Sequence, residues 1–112
     1  MITYEEFEKV DIRVGKIVDI QDFPEARKPA YKLKIDFGAD VGTKQSSVQA
    51  VGAHTKKELL GSLVCCVVNF PPKQVGPFIS EVLTLGFKNA AGEGWVLIEP
   101  KTNNVDLGSK LQ

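Results

Sequence analysis

Apolar residues at Tyr4, Phe7 and Val10 recur at helical spacing, and Thr3 stands three residues ahead of Glu6. That pattern predicts a capping box opening a short helix over about residues 4–9. From Ile12 the period falls to two. Ile12, Val14, Val18 and Ile20 alternate with Arg13, Gly15, Ile17 and Asp19, which predicts a long first strand with Gly15 as its bend or bulge. Pro24 and Pro29 stiffen the turn that follows. Residues 31–37 then alternate cleanly, with Tyr31, Leu33, Ile35 and Phe37 facing inward and Lys32, Lys34 and Asp36 outward, and form a second strand. A turn around Gly38 and Gly42 leads into a third strand over 44–51, polar and short of apolar anchors, a composition that suits a binding face.

Thr55 and Glu58 make a second capping box for a helix over 56–60, which Gly61 stops. Residues 62–70 are apolar without alternation, so both faces of this strand are expected to be buried, one of them against the N-terminal helix or another subunit. Pro71 and Pro72 break the run, residues 73–78 read as a loop, 79–85 as a strand, 86–94 as a hairpin turn and 95–98 as a strand. Five or six strands with one helix between the third and fourth predict a mostly β chain. The expected architecture is an OB-fold, a five-stranded Greek-key barrel, in one domain over residues 1–112.

Composition is that of an ordinary globular chain, 43% hydrophobic and 25% charged, which excludes disordered and disulfide-scaffold classes. The net charge of +0 provides no global pull toward nucleic acid or anionic lipid, so any such binding needs a local patch. Residues 1–25 carry seven acids against three bases, whereas residues 26–73 carry eight bases against three acids. The middle of the chain is its cationic part. No apolar run approaches the roughly 20 residues of a membrane-spanning helix, and the N-terminus does not read as a secretory signal. With Cys65 and Cys66 adjacent and expected to be reduced, a cytoplasmic protein without membrane insertion is expected.

Catalysis finds no inventory. His54 is the single histidine, no phosphate-cradling glycine loop is present, and two neighbouring strand cysteines point to opposite faces. No enzyme activity, metal or cofactor is expected. Binding has more support. Arg27 and Lys28 on the first loop, Lys32 and Lys34 on strand two, and Lys44, Ser46, Ser47 and Gln49 on strand three would make one basic, hydrogen-bonding surface, although outward lysines also serve simply to solvate a strand. The run from Asn69 to Gln74 offers a second candidate. There Phe70 and Pro71, with Phe78 a few positions on, would suit an unfolded polypeptide or a dimer contact, and Asn69, Lys73 and Gln74 could pair with a peptide or an RNA backbone.

Several motifs then combine in order: Asp11-Ile-Arg-Val-Gly-Lys-Ile17, Pro24-Glu-Ala26, Tyr31-Lys-Leu-Lys-Ile-Asp-Phe-Gly38, Val67-Val-Asn-Phe-Pro-Pro-Lys-Gln74 and Ser80-Glu-Val-Leu-Thr-Leu-Gly86. Together they resemble the tRNA-binding OB domain family. The Ala26-Arg-Lys-Pro-Ala-Tyr31 stretch and the Ser80-Glu-Val-Leu83 version look like its CsaA group, described as secretion chaperones. The resemblance implies a homodimer built with the N-terminal helix and the apolar fourth strand, binding tRNA-like RNA and holding unfolded preproteins for the protein export machinery. It also implies an RNA-facing groove lined by Arg27, Lys28, Lys32, Lys34, Ser46, Ser47, Gln49, Asn69, Lys73, Gln74 and Ser80. Arg27 and Glu81-Val82 depart from the family pattern, and Glu81 would complement positive segments of a client. Two functions stand side by side: a polypeptide-holding chaperone, and a structure-selective tRNA-binding module with no chaperone role.

Overall fold

The computed structural model describes residues 1–112. In chain order the elements are α1 (Tyr4–Glu8), β1 (Ile12–Asp22), β2 (Tyr31–Asp36), β3 (Thr43–Val48), α2 (Lys56–Leu59), β4 (Leu63–Val67), β5 (Lys73–Val75), β6 (Phe78–Ser80), β7 (Leu83–Thr84), β8 (Gly86–Lys88) and β9 (Trp95–Leu97). Five strands form one antiparallel sheet in the order β3-β2-β1-β4-β7. It curls until its two ends meet: the Ser46 hydroxyl bonds both the Val82 carbonyl, at 3.1 Å, and the Thr84 hydroxyl, at 2.8 Å. The result is the expected mostly β, nearly closed OB-type barrel. No helix is long and apolar enough to cross a membrane.

Both capping predictions hold at their first arm. Thr3 accepts from the Glu6 amide while the Glu6 carboxylate accepts from the Thr3 amide. At α2 the Thr55 hydroxyl accepts from the Glu58 amide at 3.2 Å, but the Glu58 carboxylate turns instead to His54 Nδ1 at 2.9 Å. Because His54 Nε2 accepts from the Leu97 amide at 3.1 Å, its proton sits on Nδ1 and is donated to Glu58. One imidazole thus ties α2 to β9.

Strand β2 alternates as predicted, with Tyr31, Leu33 and Ile35 buried, and Phe37 just beyond it buried as well. Strand β1 departs from the prediction. Its register slips between Ile17 and Asp19, so the bulge falls at Val18 and not at Gly15. Ahead of the bulge Ile17 is fully buried, at the bulge Val18 is 48% exposed, and beyond it Ile20 packs on the core. The bulge swaps the inward parity from odd to even positions, which a single unbroken alternation cannot show. Gly15 has a different reason to be glycine: a Cβ there would lie 2.5 Å from Ile35 Cγ2 and 2.8 Å from the Phe37 ring.

Three further expectations change. In β4, Val64, Cys66 and Val67 are buried but Leu63 and Cys65 are only partly covered, so one face of the strand is left incompletely packed. Residues 73–78 are not an open loop but a hairpin, β5 pairing β6 around Gly76 at φ +58°. The expected strand over 79–85 divides between β6 and β7. Both cysteines are free. Burial pushes the Cys66 thiol up to about 12, with the Thr84 hydroxyl opposing that shift, and burial also raises Cys65. At neutral pH both stay protonated and poorly nucleophilic.

The ends of the chain lie together. The Leu111 amide donates to the Ile12 carbonyl, Gly108 donates to the Val14 carbonyl and Val14 donates back to Ser109. Arg13 locks this pairing by bonding the Gly108 carbonyl at 3.0 Å while its Nε pairs with Asp11 at 2.8 Å, and the Asp11 hydrogen bond raises the Arg13 pKa further.

Candidate ligand groove

A groove of about 1310 Å³ opens where the barrel seam between β3 and the 80–84 segment meets the first loop and the β5–β6 hairpin. Its floor is Ser47, Val48 and Gln49 from β3 and its end, together with Val82 and Thr84. Three hydrogen bonds span the seam. The Glu81 carboxylate accepts from the Gln45 amide at 3.0 Å, the Glu81 amide donates to the Gln45 carbonyl at 2.8 Å, and the Ser80 hydroxyl accepts from the Ser47 amide at 3.1 Å. The Trp95 amide closes the far side on the Gln49 carbonyl at 2.8 Å.

Around this floor stand Arg27, Lys28 and Lys73 on one hand and Glu25 and Glu81 on the other, with Gln74 and Ser80 between the signs. None of the three cations takes part in a salt bridge. Phe70, Pro71, Leu83 and Trp95 supply the apolar wall, and Phe70 is 52% exposed. Mixed charge, free hydrogen-bonding groups and exposed apolar rings make a surface able to take an extended, chemically mixed ligand.

Ten residues expected from the sequence come together here: Arg27, Lys28, Ser47, Gln49, Phe70, Pro71, Lys73, Gln74, Ser80 and Glu81. Others do not. Lys32 and Lys34 line a separate recess of about 200 Å³ with Asp19, Gln21, Gln45 and Phe78. Phe78 is half-buried there, packed edge-on against the buried Phe23 at 5.5 Å, so it is not a free apolar contact. Lys32 Nζ sits 5.5 Å above the same Phe23 ring.

Three predicted contacts have structural duties. Ser46 is fully buried, held by Val82 and Thr84, and cannot reach a ligand. Lys44 shares its register face with Ser46, opposite the inward Ile35, and so does not join the outer face of β3. Asn69 accepts from the Asp11 amide at 3.0 Å and donates to the Lys9 carbonyl at 2.7 Å, fastening the end of β4 to the segment after α1. In exchange the structure adds Trp95 to the groove and Gln45 to the recess with Lys32 and Lys34. Reading Ser46, Val48 and Ala50 as the inward row would have put Gln45 outward beside Ser47, while Trp95 looked like an ordinary strand residue.

The model of the family described as "Putative tRNA binding domain" matches residues 12–110. The chain is 49% identical to the CsaA chaperone protein of Picrophilus torridus, over 100% of both chains, with a TM-score of 0.90. It is 41% identical to the chaperone CsaA of Bacillus anthracis, over 100% of this chain and 99% of that one, with a TM-score of 0.88. Against the methionine–tRNA ligase of Pyrococcus furiosus it is 34% identical over 99% of its own length, which is 14% of the length of that relative. The motifs, the barrel and these likenesses agree: the chain belongs to the tRNA-binding domain family and resembles the CsaA chaperones along its whole length.

Proposed function

We propose that the chain is a homodimeric, cytoplasmic chaperone that holds unfolded preproteins in this groove on their way to the export machinery. The observation that carries the reading is the groove itself, where exposed Phe70, Pro71 and Leu83 sit among side chains of both signs. A polypeptide presents apolar side chains, both charges and backbone amides together. A polyanion would meet Glu25 and Glu81 at close quarters. The full-length likeness to the CsaA chaperones supports the same assignment.

The outer side of β4 and the exposed face of α1 support a dimer. Leu63 and Cys65 are incompletely covered, and Tyr4 of α1 is largely exposed. Val68 packs against the core, so a charge there would damage the fold before it informed on association. Tyr4→Glu is the cleaner test, and sedimentation equilibrium is expected to find wild type as dimers and this variant as folded monomers. A variant that still dimerises would move the interface elsewhere.

A second activity, tRNA binding, is favoured by one observation. Lys32 and Lys34 stand in one recess with Gln45, free of any salt bridge, on a chain of a tRNA-binding family. Fluorescence anisotropy with bulk tRNA and with an unfolded preprotein, each across a range of salt, separates the roles. Preprotein binding is expected to persist at high salt while tRNA binding falls steeply. Lys32→Ala with Lys34→Ala is expected to flatten the tRNA salt slope by about two units and leave preprotein binding unchanged. Strong tRNA binding with no preprotein affinity would make the chain an RNA-binding module alone.

A further inference from the structure

Trp95 is the single tryptophan of the chain and the one groove aromatic that sequence reasoning passed over. Its backbone is held on both sides, while its side chain has no polar partner. The Trp95 amide is held by the Gln49 carbonyl, the Leu97 amide two residues on is held by His54, and Gly94 just before it lies against the Val51 carbonyl at φ +87°, too close for any side chain. By contrast Trp95 is 41% exposed, belongs to neither aromatic pair of the molecule, and has no hydrogen-bond partner for its indole N–H. A large, rigidly placed aromatic with one unpaired donor, facing a groove, has the character of a binding hot spot.

We infer that Trp95 is the specificity-determining contact of the groove, seating a large apolar side chain of an extended polypeptide against Leu83 and Phe70 while its indole N–H is offered to the polypeptide backbone. This rests on the polypeptide-holding reading above. The ligand is a polypeptide because the groove offers an apolar wall and hydrogen-bonding side chains beside charges of both signs, all of which an extended polypeptide can match, whereas a polyanion would match Arg27, Lys28 and Lys73 and be opposed by Glu25 and Glu81. His54 is a positioning residue in this scheme, since it holds the strand on which the indole is presented.

Because the hairpin is anchored through backbone amides, Trp95→Ala leaves its attachments in place, and tryptophan emission reports this one position. The probe is a tryptophan-free, dye-labelled peptide of about twelve alternating Leu and Ser residues, compared with the same peptide carrying Ala for Leu. The Leu peptide is expected to shift Trp95 emission to the blue, and the Ala peptide to bind about tenfold more weakly. Trp95→Ala is expected to weaken the Leu peptide about tenfold or more, and Trp95→Phe to restore most of the loss.

Peptide anisotropy that rises while Trp95 emission stays still, or is unchanged in Trp95→Ala, overturns the inference and leaves the holding reading standing. Absence of binding by both the peptide and reduced, carboxymethylated ribonuclease overturns the holding reading and the inference with it. Salt-sensitive quenching of Trp95 by a single-stranded oligoribonucleotide that the Leu peptide cannot displace overturns the inference in favour of a nucleic-acid site.

Discussion

Gly15→Ala is expected to cost about 3 kcal/mol of stability, the upper end of what overpacking a core imposes. The added methyl would stand 2.5 Å from Ile35 Cγ2 and 2.8 Å from two carbons of the Phe37 ring, and neither neighbour has room to retreat, since both are fully buried. Relief requires β1 to lift away from β2, and β1 also carries the β4 pairing at Gly15 and the C-terminal segment at Val14. The strain therefore spreads to three neighbours of one strand. Urea unfolding followed by circular dichroism measures it; a loss below about 1 kcal/mol would show that the barrel wall yields more easily than its packing implies.

Ser46→Val is the second large effect, about 2–3 kcal/mol, and reaches the ligand site as well. The hydroxyl serves the Val82 carbonyl and the Thr84 hydroxyl at once, so its loss leaves the carbonyl with the Ser80 hydroxyl alone, at 3.2 Å, and takes from Thr84 its one strong partner in the core. The Thr84 hydroxyl keeps only the weak Cys66 sulfur at 3.5 Å. Since this bond joins the two ends of the curled sheet directly under the groove floor, client binding is expected to fall with stability. Thermal unfolding and peptide titration of the same variant check it. A destabilised variant with wild-type affinity would mean that the floor is held by Glu81 and Ser80 alone.

These two positions also mark what the sequence could and could not disclose. β2 was legible because its period-two pattern is local and unbroken, with Tyr31, Leu33 and Ile35 inward and the lysines outward. β1 was not, because a one-residue bulge at Val18 reverses the alternation midway and leaves no composition signal. Ser46 read as a surface hydroxyl because its partners lie 36 and 38 residues away, and only barrel closure brings them under it. Asn69 was misread for the same reason, its bonds reaching back across 58 and 60 residues. The groove residues on the first loop and around Ser80 were legible as a set through motif resemblance. Trp95 was not, because nothing in its neighbourhood distinguishes a strand aromatic that turns to a cleft from one that turns to a core.

The pairing of residues 108–111 with the start of β1 sets the order in which the barrel can be completed. As the chain emerges from the ribosome, β1, β2 and β3 can zip by short hairpin connections, but the first half of β1 keeps one side unpaired until residues 108–111 arrive. Closure of that edge, and the Arg13 bond to the Gly108 carbonyl, come after the other pairings of β1. Pairing segments 95 residues apart is slow, because the loop must close before any contact rewards it. Until then the nascent chain carries an open edge of its own, the kind of exposed segment it is proposed to shelter in others.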